Sequence, residues 1–179
     1  MGTRNLTMVI SNGKTKVAQY GQWDGYPSGQ GVIALDFLHN TPLDKFKEKL
    51  EACRFLTPEE VTAWGKAERW LPQFSRDHGA EILDLIMANE ESEFILLDKG
   101  GFANNSLFCE FAYVIDLDRG TLEVYNGFNT EPLQPTDRFY TSSPDADGYY
   151  PVSLMHEFQL SNLPTDDEFL AILEPVEEE

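Results

Sequence analysis

Leu107-Phe108-Cys109-Glu110-Phe111-Ala112-Tyr113-Val114-Ile115-Asp116-Leu117-Asp118-Arg119-Gly120-Thr121-Leu122-Glu123-Val124-Tyr125 decides the fold. Its first part is crowded with aromatic and β-branched residues. Asp118-Arg119-Gly120 supplies turn chemistry, and Thr121 to Tyr125 alternates polar and apolar side chains. That pattern predicts a β-hairpin. A second hairpin is predicted at the N-terminus: Leu6 to Ile10 is one strand and Lys16 to Gly21 its return. Between them, Asn12-Gly13 takes the positive φ angles of a tight turn. Glu93 to Asp98 and Tyr149 to Leu160 read as further strands.

Helices are predicted between the hairpins. Val32 to Leu38 is a short one, and Leu43, Phe46, Lys47 and Leu50 mark one face of the next. Thr57-Pro58-Glu59-Glu60 is a helix start with a capping box, turning Val61, Trp64, Ala67 and Trp70 inward. Glu81 to Met87 is another amphipathic helix, and Thr165 caps a last one through Leu173. Strands and helices are segregated rather than alternating. The class is therefore α+β: a single domain over 1–179, with a mainly antiparallel sheet and helices packed on one face. An acidic tail is expected at about 174–179.

With 179 residues, 41% of them hydrophobic, the chain can build one core, which excludes disorder throughout. The formal charge is −18, so direct binding to nucleic acid or to an anionic membrane is not expected. No apolar run reaches the ~18 residues of a membrane span, and Met1 to Asn5 has no apolar core of a secretion signal. Cys53 and Cys109 are too few for a disulfide framework and read as buried thiols in a reducing cytoplasm. Three scattered His, and Asp-rich turns lacking a full calcium ligand set, predict no metal. No cofactor is expected, and the oligomeric state is left open.

The charge is uneven. Residues 1–50 carry a net +2, 51–100 a net −6 and 101–179 a net −14. The Gly- and aromatic-rich loop Gln22 to Gly31 lies in the one segment that does not repel an anion. Its glycines let a ligand approach the main chain, Trp23 and Tyr26 can stack on a flat ring, and it feeds a helix N-terminus. The expected ligand is small and anionic, with nucleotide-like chemistry. The expected binding residues are Arg4, Tyr20, Gln22, Trp23, Asp24, Gly25, Tyr26, Ser28 and Gly29. A hairpin turned at Asn12-Gly13 puts residue 4 opposite about residue 21. Arg4 is then the loop's cation, forked onto Asp24 or facing the ligand.

Two alternatives stand beside this reading. The acidic half, including Glu110, Asp116, Asp118 and Glu123, suits a nucleic-acid mimic that inhibits a basic host protein. A small hydrolase would use Asp24, desolvated between Trp23 and Tyr26, or Ser28. No nucleophile-elbow motif surrounds Ser28, so binding is favoured over catalysis and no catalytic residue is assigned.

Met1-Gly2-Thr3-Arg4 with Leu6-Thr7, then Tyr20, Gln22, Asp24-Gly25-Tyr26-Pro27-Ser28-Gly29 and Gly31, resembles a group of small, largely uncharacterised proteins of bacteria and their phages. The Tyr113–Tyr125 hairpin is similar to that group too, while the helical middle is not. The resemblance implies a phage or prophage accessory protein in the bacterial host cell, and implies no activity. Where this chain has Gln30, His is common in that group, so proton transfer at that position is not expected here.

Overall fold

Asn12 at φ 54° and Gly13 at φ 71° close the first hairpin, as Asn-Gly chemistry requires. The computed structural model describes residues 2–176, so Met1 and, of the expected acidic tail, residues 177–179 lie outside the described residues. The chain runs β1 (Asn5–Ser11), β2 (Lys14–Gly21), α1 (Val32–Asn40), α2 (Leu43–Glu51), β3 (Cys53–Phe55), α3 (Pro58–Lys66) and α4 (Ile82–Ala88). It continues through β4 (Phe94–Leu96), β5 (Phe111–Asp116), β6 (Thr121–Asn126), β7 (Ser153–Gln159) and α5 (Asp166–Leu173).

The main sheet has the order β2-β1-β5-β6-β7. Both hairpins and the β6–β7 pair are antiparallel, and β1 pairs β5 in parallel. The fold is thus α+β with a mixed, mostly antiparallel sheet. The parallel pair is a departure from the expected pattern. The long crossover after β2 returns the chain to the end of the sheet where β1 begins, and β5 enters from there.

Side chains alternate between two cores. Val9, Val17, Tyr113, Ile115 and Val124 face one side, against Leu35 of α1, Phe46 of α2, Leu83 of α4 and Phe169 of α5. Leu6, Met8, Ala18, Val114 and Tyr125 face the other side. There the cover comes from loops, through Phe102, Ala103, Phe139 and Val152. Helices therefore pack on one face of the main sheet.

Three expectations are corrected. Phe94–Leu96 does not join the main sheet but pairs in parallel with Cys53–Phe55. The segment before Phe111 is not strand: turns carry it over the sheet face, and Gly100–Asn104 forms a 3-10 turn. The capping box at Thr57 forms, yet α3 buries none of its residues. Val61 and Trp70 are exposed, and Trp64 packs against Phe74 and the Arg69 guanidinium, which lies 3.8 Å from its ring centroid, rather than in the core. The helix is short, ends where Glu68 takes φ 53°, and stands beside the core rather than on it. Among the described residues no helix is long and apolar enough to cross a membrane.

The register of the first hairpin positions the site. A bulge between Val9 and Ile10 brings Asn5 opposite Gly21, so Arg4 stands level with Gln22, one residue beyond the expected place. Arg4 then shares the loop-covered face with Leu6 and Tyr20.

Candidate functional site

The Gly-rich loop is folded onto its own protein. The Gly25 N–H donates to Thr3 O at 3.0 Å and the Gln30 N–H to Asp24 O at 2.8 Å. The Tyr113 hydroxyl donates to Gly25 O at 2.6 Å. A Cβ on Gly29 would lie 2.2 Å from Asp24 O, and one on Gly25 would lie 2.6 Å from Thr3 O. These glycines serve close packing of chain on chain. Asp24 takes φ 54°, which Asp tolerates better than most residues, and its carbonyl holds the loop closed. Gln30 is buried. Its Oε1 accepts from the Ala80 N–H at 2.6 Å, and its Nε2 reaches Trp23 O at 3.5 Å.

The start of the helical stretch is occupied as well. Pro27–Gly31 forms one wide turn ahead of α1, and the Ser28 N–H and hydroxyl both donate to Glu174 Oε1. A carboxylate of the chain itself takes the place an anionic ligand would take. Trp23 points elsewhere, its indole N–H donating to Asp77 at 2.8 Å. Asp24, Gly25, Ser28 and Gly29 therefore brace the loop, and Trp23 fastens it to residue 77.

Arg4 and Tyr20 come together in a groove on the loop-covered face. The Arg4 guanidinium lies over the Phe108 ring, 5.1 Å from its centroid. Tyr20 meets Phe102 edge-on at 5.0 Å, and its hydroxyl donates to Gln22 Oε1 at 2.6 Å. Arg4, Tyr20, Phe102, Asn105 and Phe108 line a cavity of about 290 Å³. It adjoins a second of about 450 Å³ beside Lys99 and a third of about 350 Å³ bounded by Tyr26, Phe108 and Phe128. These volumes fall in or near the range of small-ligand sites. Arg4 and Lys99 are its cations. The acids nearby are engaged by backbone, Asp98 by the Gly100 N–H at 2.9 Å and Glu110 by the Arg4 N–H at 3.2 Å. Among the described residues no carboxylate lies within ion-pair distance of the Arg4 guanidinium, Asp24 included.

Phe128 adds an unusual wall. It takes φ 54°, a strained conformation for a bulky side chain, and remains 58% exposed. Lys99, Phe102, Asn105, Phe108 and Phe128 are absent from the expected site. Only Phe108 falls in a stretch that reads as strand, Leu107 to Leu117; Lys99, Phe102 and Asn105 lie between the two expected strands, and Phe128 lies beyond the hairpin. The breaks Gly100-Gly101 and Asn104-Asn105-Ser106 are the signal that the chain turns there.

The acids named for mimicry are used inside the protein. Asp116 and Glu123 are buried, and Arg138 bridges them at 2.6 and 2.8 Å. Asp118 accepts from the Asn12 and Gly13 N–H groups, and Glu110 holds Arg4. Burial pushes the Cys53 thiol up to about 11 and the Cys109 thiol further, so neither is a ready nucleophile. His39 and His78 bond to the carbonyls of Pro164 and Pro72, and neither bonds to Ser28 or Glu174. Among the described residues no group of three or more His, Cys, Asp or Glu is placed to hold a metal ion. Set against protein-family models, curated proteins and solved structures, the chain finds no match.

Proposed function

We propose that this protein is a non-catalytic binding protein that holds a small anionic ligand with a flat ring, nucleotide-like in chemistry, in the Arg4 groove. The carrying observation is the Arg4 guanidinium stacked on Phe108 beside the Tyr20–Phe102 pair. A planar cation on an aromatic face is pre-organised to fork onto a phosphate or carboxylate. Aromatic edges nearby suit a base or sugar face. The strained, exposed Phe128 supports the same reading, because an aromatic held that way adds little to a core. The loop of residues 22–31 is the brace that sets Arg4 and Tyr26 at the groove. The phage or prophage accessory setting rests on the resemblance of the first thirty residues.

Native mass spectrometry of protein purified from cells, followed by thermal shift against nucleotides, dinucleotides and sugar phosphates, tests the proposal. A ligand at about 100 times its Kd adds roughly 2.7 kcal/mol of stability, and Arg4→Ala should abolish that gain. No co-purified ligand and no shift with any compound of these classes would refute it.

A further inference from the structure

β7 is an open edge of the main sheet, paired with β6 alone. On the opposite edge, Ala18 of β2 already accepts a bond from the Lys99 N–H. Among the described residues, no backbone group outside β6 bonds to the outer side of β7. The Leu160 N–H donates to Gly120 O, which sets the alternation along the strand. His156 and Phe158 therefore turn their backbone groups toward β6, and Glu157 and Gln159 turn theirs outward. Exposed edges are usually blocked by Lys, Pro or a bulge. β7 has neither Lys nor Pro, and its one bulge, at Met155 opposite the Val124–Tyr125 step, leaves 156–159 regular and open.

A groove of about 330 Å³ runs beside this edge, between β7 and α5. Its apolar lining includes Phe158, Leu163, Pro164 and Ile172, and Ile172 is 46% exposed. The ionisable side chains lining it are Glu157, Glu168 and His156. Asp166 and Asp167 open α5 next to it, and Arg119 is the cation within reach, at 3.2 Å from Glu157. A second copy of the chain would bring these acids together, so like charge disfavours pairing of β7 with itself. A strand carrying Lys or Arg complements them.

We propose that the β7 edge docks an extended basic segment of a partner protein as a sixth strand, with an apolar side chain of that strand in the β7–α5 groove. Main-chain bonds to Glu157 and Gln159 would supply affinity, and the groove and the acids would supply selection.

The probe is a fluorescein-labelled peptide of alternating Lys and Val, read by fluorescence anisotropy and by amide hydrogen exchange of the full chain. The expected result is binding with new protection at residues 153–159. The same peptide N-methylated on alternate amides keeps its charge and should bind about tenfold more weakly. Gln159→Pro removes an outward N–H at a position whose φ of −83° suits proline, and it should weaken binding about as much. Ile172→Ser, on an exposed helix face, removes the apolar contact without changing charge and should do the same without touching the strand. Equal binding of the methylated and parent peptides would overturn the proposal, since charge alone would then explain adsorption. Protection away from β7 would overturn it too, as would a dimer already protected there without peptide.

Discussion

Glu174 Oε1 lies 3.3 Å from both the Ser28 nitrogen and the Ser28 hydroxyl, so the residue just past α5 caps the helical stretch that leads into α1. The carboxylate satisfies an N–H that the helix itself cannot, and it sits where the positive end of the helix dipole favours it. Glu174→Gln keeps an acceptor and should be nearly neutral. Glu174→Ala should cost under about 1 kcal/mol, because the contact is exposed. Urea unfolding measures the difference, and faster amide exchange across 166–173 in the alanine variant alone would tie it to the docking of α5.

Arg4 separates charge from shape. Arg4→Ala removes both the cation and the ring-stacked plane. Arg4→Lys keeps the charge and loses the planar fork. The expectation is no measurable ligand binding for alanine and affinity about tenfold lower for lysine. Unliganded stability should stay within about 0.5 kcal/mol of wild type for the lysine variant. Calorimetric titration with the ligand found by thermal shift checks this; equal affinity of the lysine variant would show that only charge is read.

Phe128 is predicted to trade stability for binding. Glycine adopts φ 54° without strain, so Phe128→Gly should raise unfolding free energy by up to about 1 kcal/mol. It should also weaken the ligand, because a wall of the groove is gone. A variant that loses stability would mean that the ring supports the fold instead.

Both hairpins and the capping boxes at Thr57 and Thr165 were legible in the chain, since each depends on neighbours in sequence. The parallel pairing of β1 with β5 was not, because it depends on the route of the whole crossover between them. Arg4 beside Tyr20 could be read from hairpin register even though a bulge moved that register by one residue. Phe108 could not, because Leu107 to Leu117 satisfies a strand pattern while its first residues turn over the sheet, and Phe102 could not, because it sits in a connection whose path is set by tertiary packing. The α3 stripe misled for the opposite reason: its spacing is helical and the helix forms, but no second surface covers it. Periodicity reports the element and leaves its burial undetermined.

The buried Asp116 and Glu123, bridged by the half-buried Arg138, give the last prediction. Burial alone would push both carboxyls up, yet the Arg119 N–H and Arg138 at Asp116, and Arg138, Tyr125 and Thr121 at Glu123, hold both below their ordinary values of 3.8 and 4.5. The unfolded chain therefore binds protons at these residues before the folded one does. Their contribution is fully present above the ordinary values and is lost as pH falls through the lowered folded ones. Wild-type unfolding free energy should accordingly drop as pH is taken below about 4. Arg138→Met leaves two carboxylates buried beside each other and should cost about 3–5 kcal/mol at neutral pH. In that variant the sign reverses. Without the Arg138 guanidinium, burial, the largest influence on both carboxyls, is less opposed and raises them, so mild acid should restore part of the lost stability. Urea unfolding of both proteins between pH 4 and 7 decides it, and parallel pH curves for wild type and variant would refute the assignment of the cluster as the acid-sensitive clasp of residue 138 to the sheet.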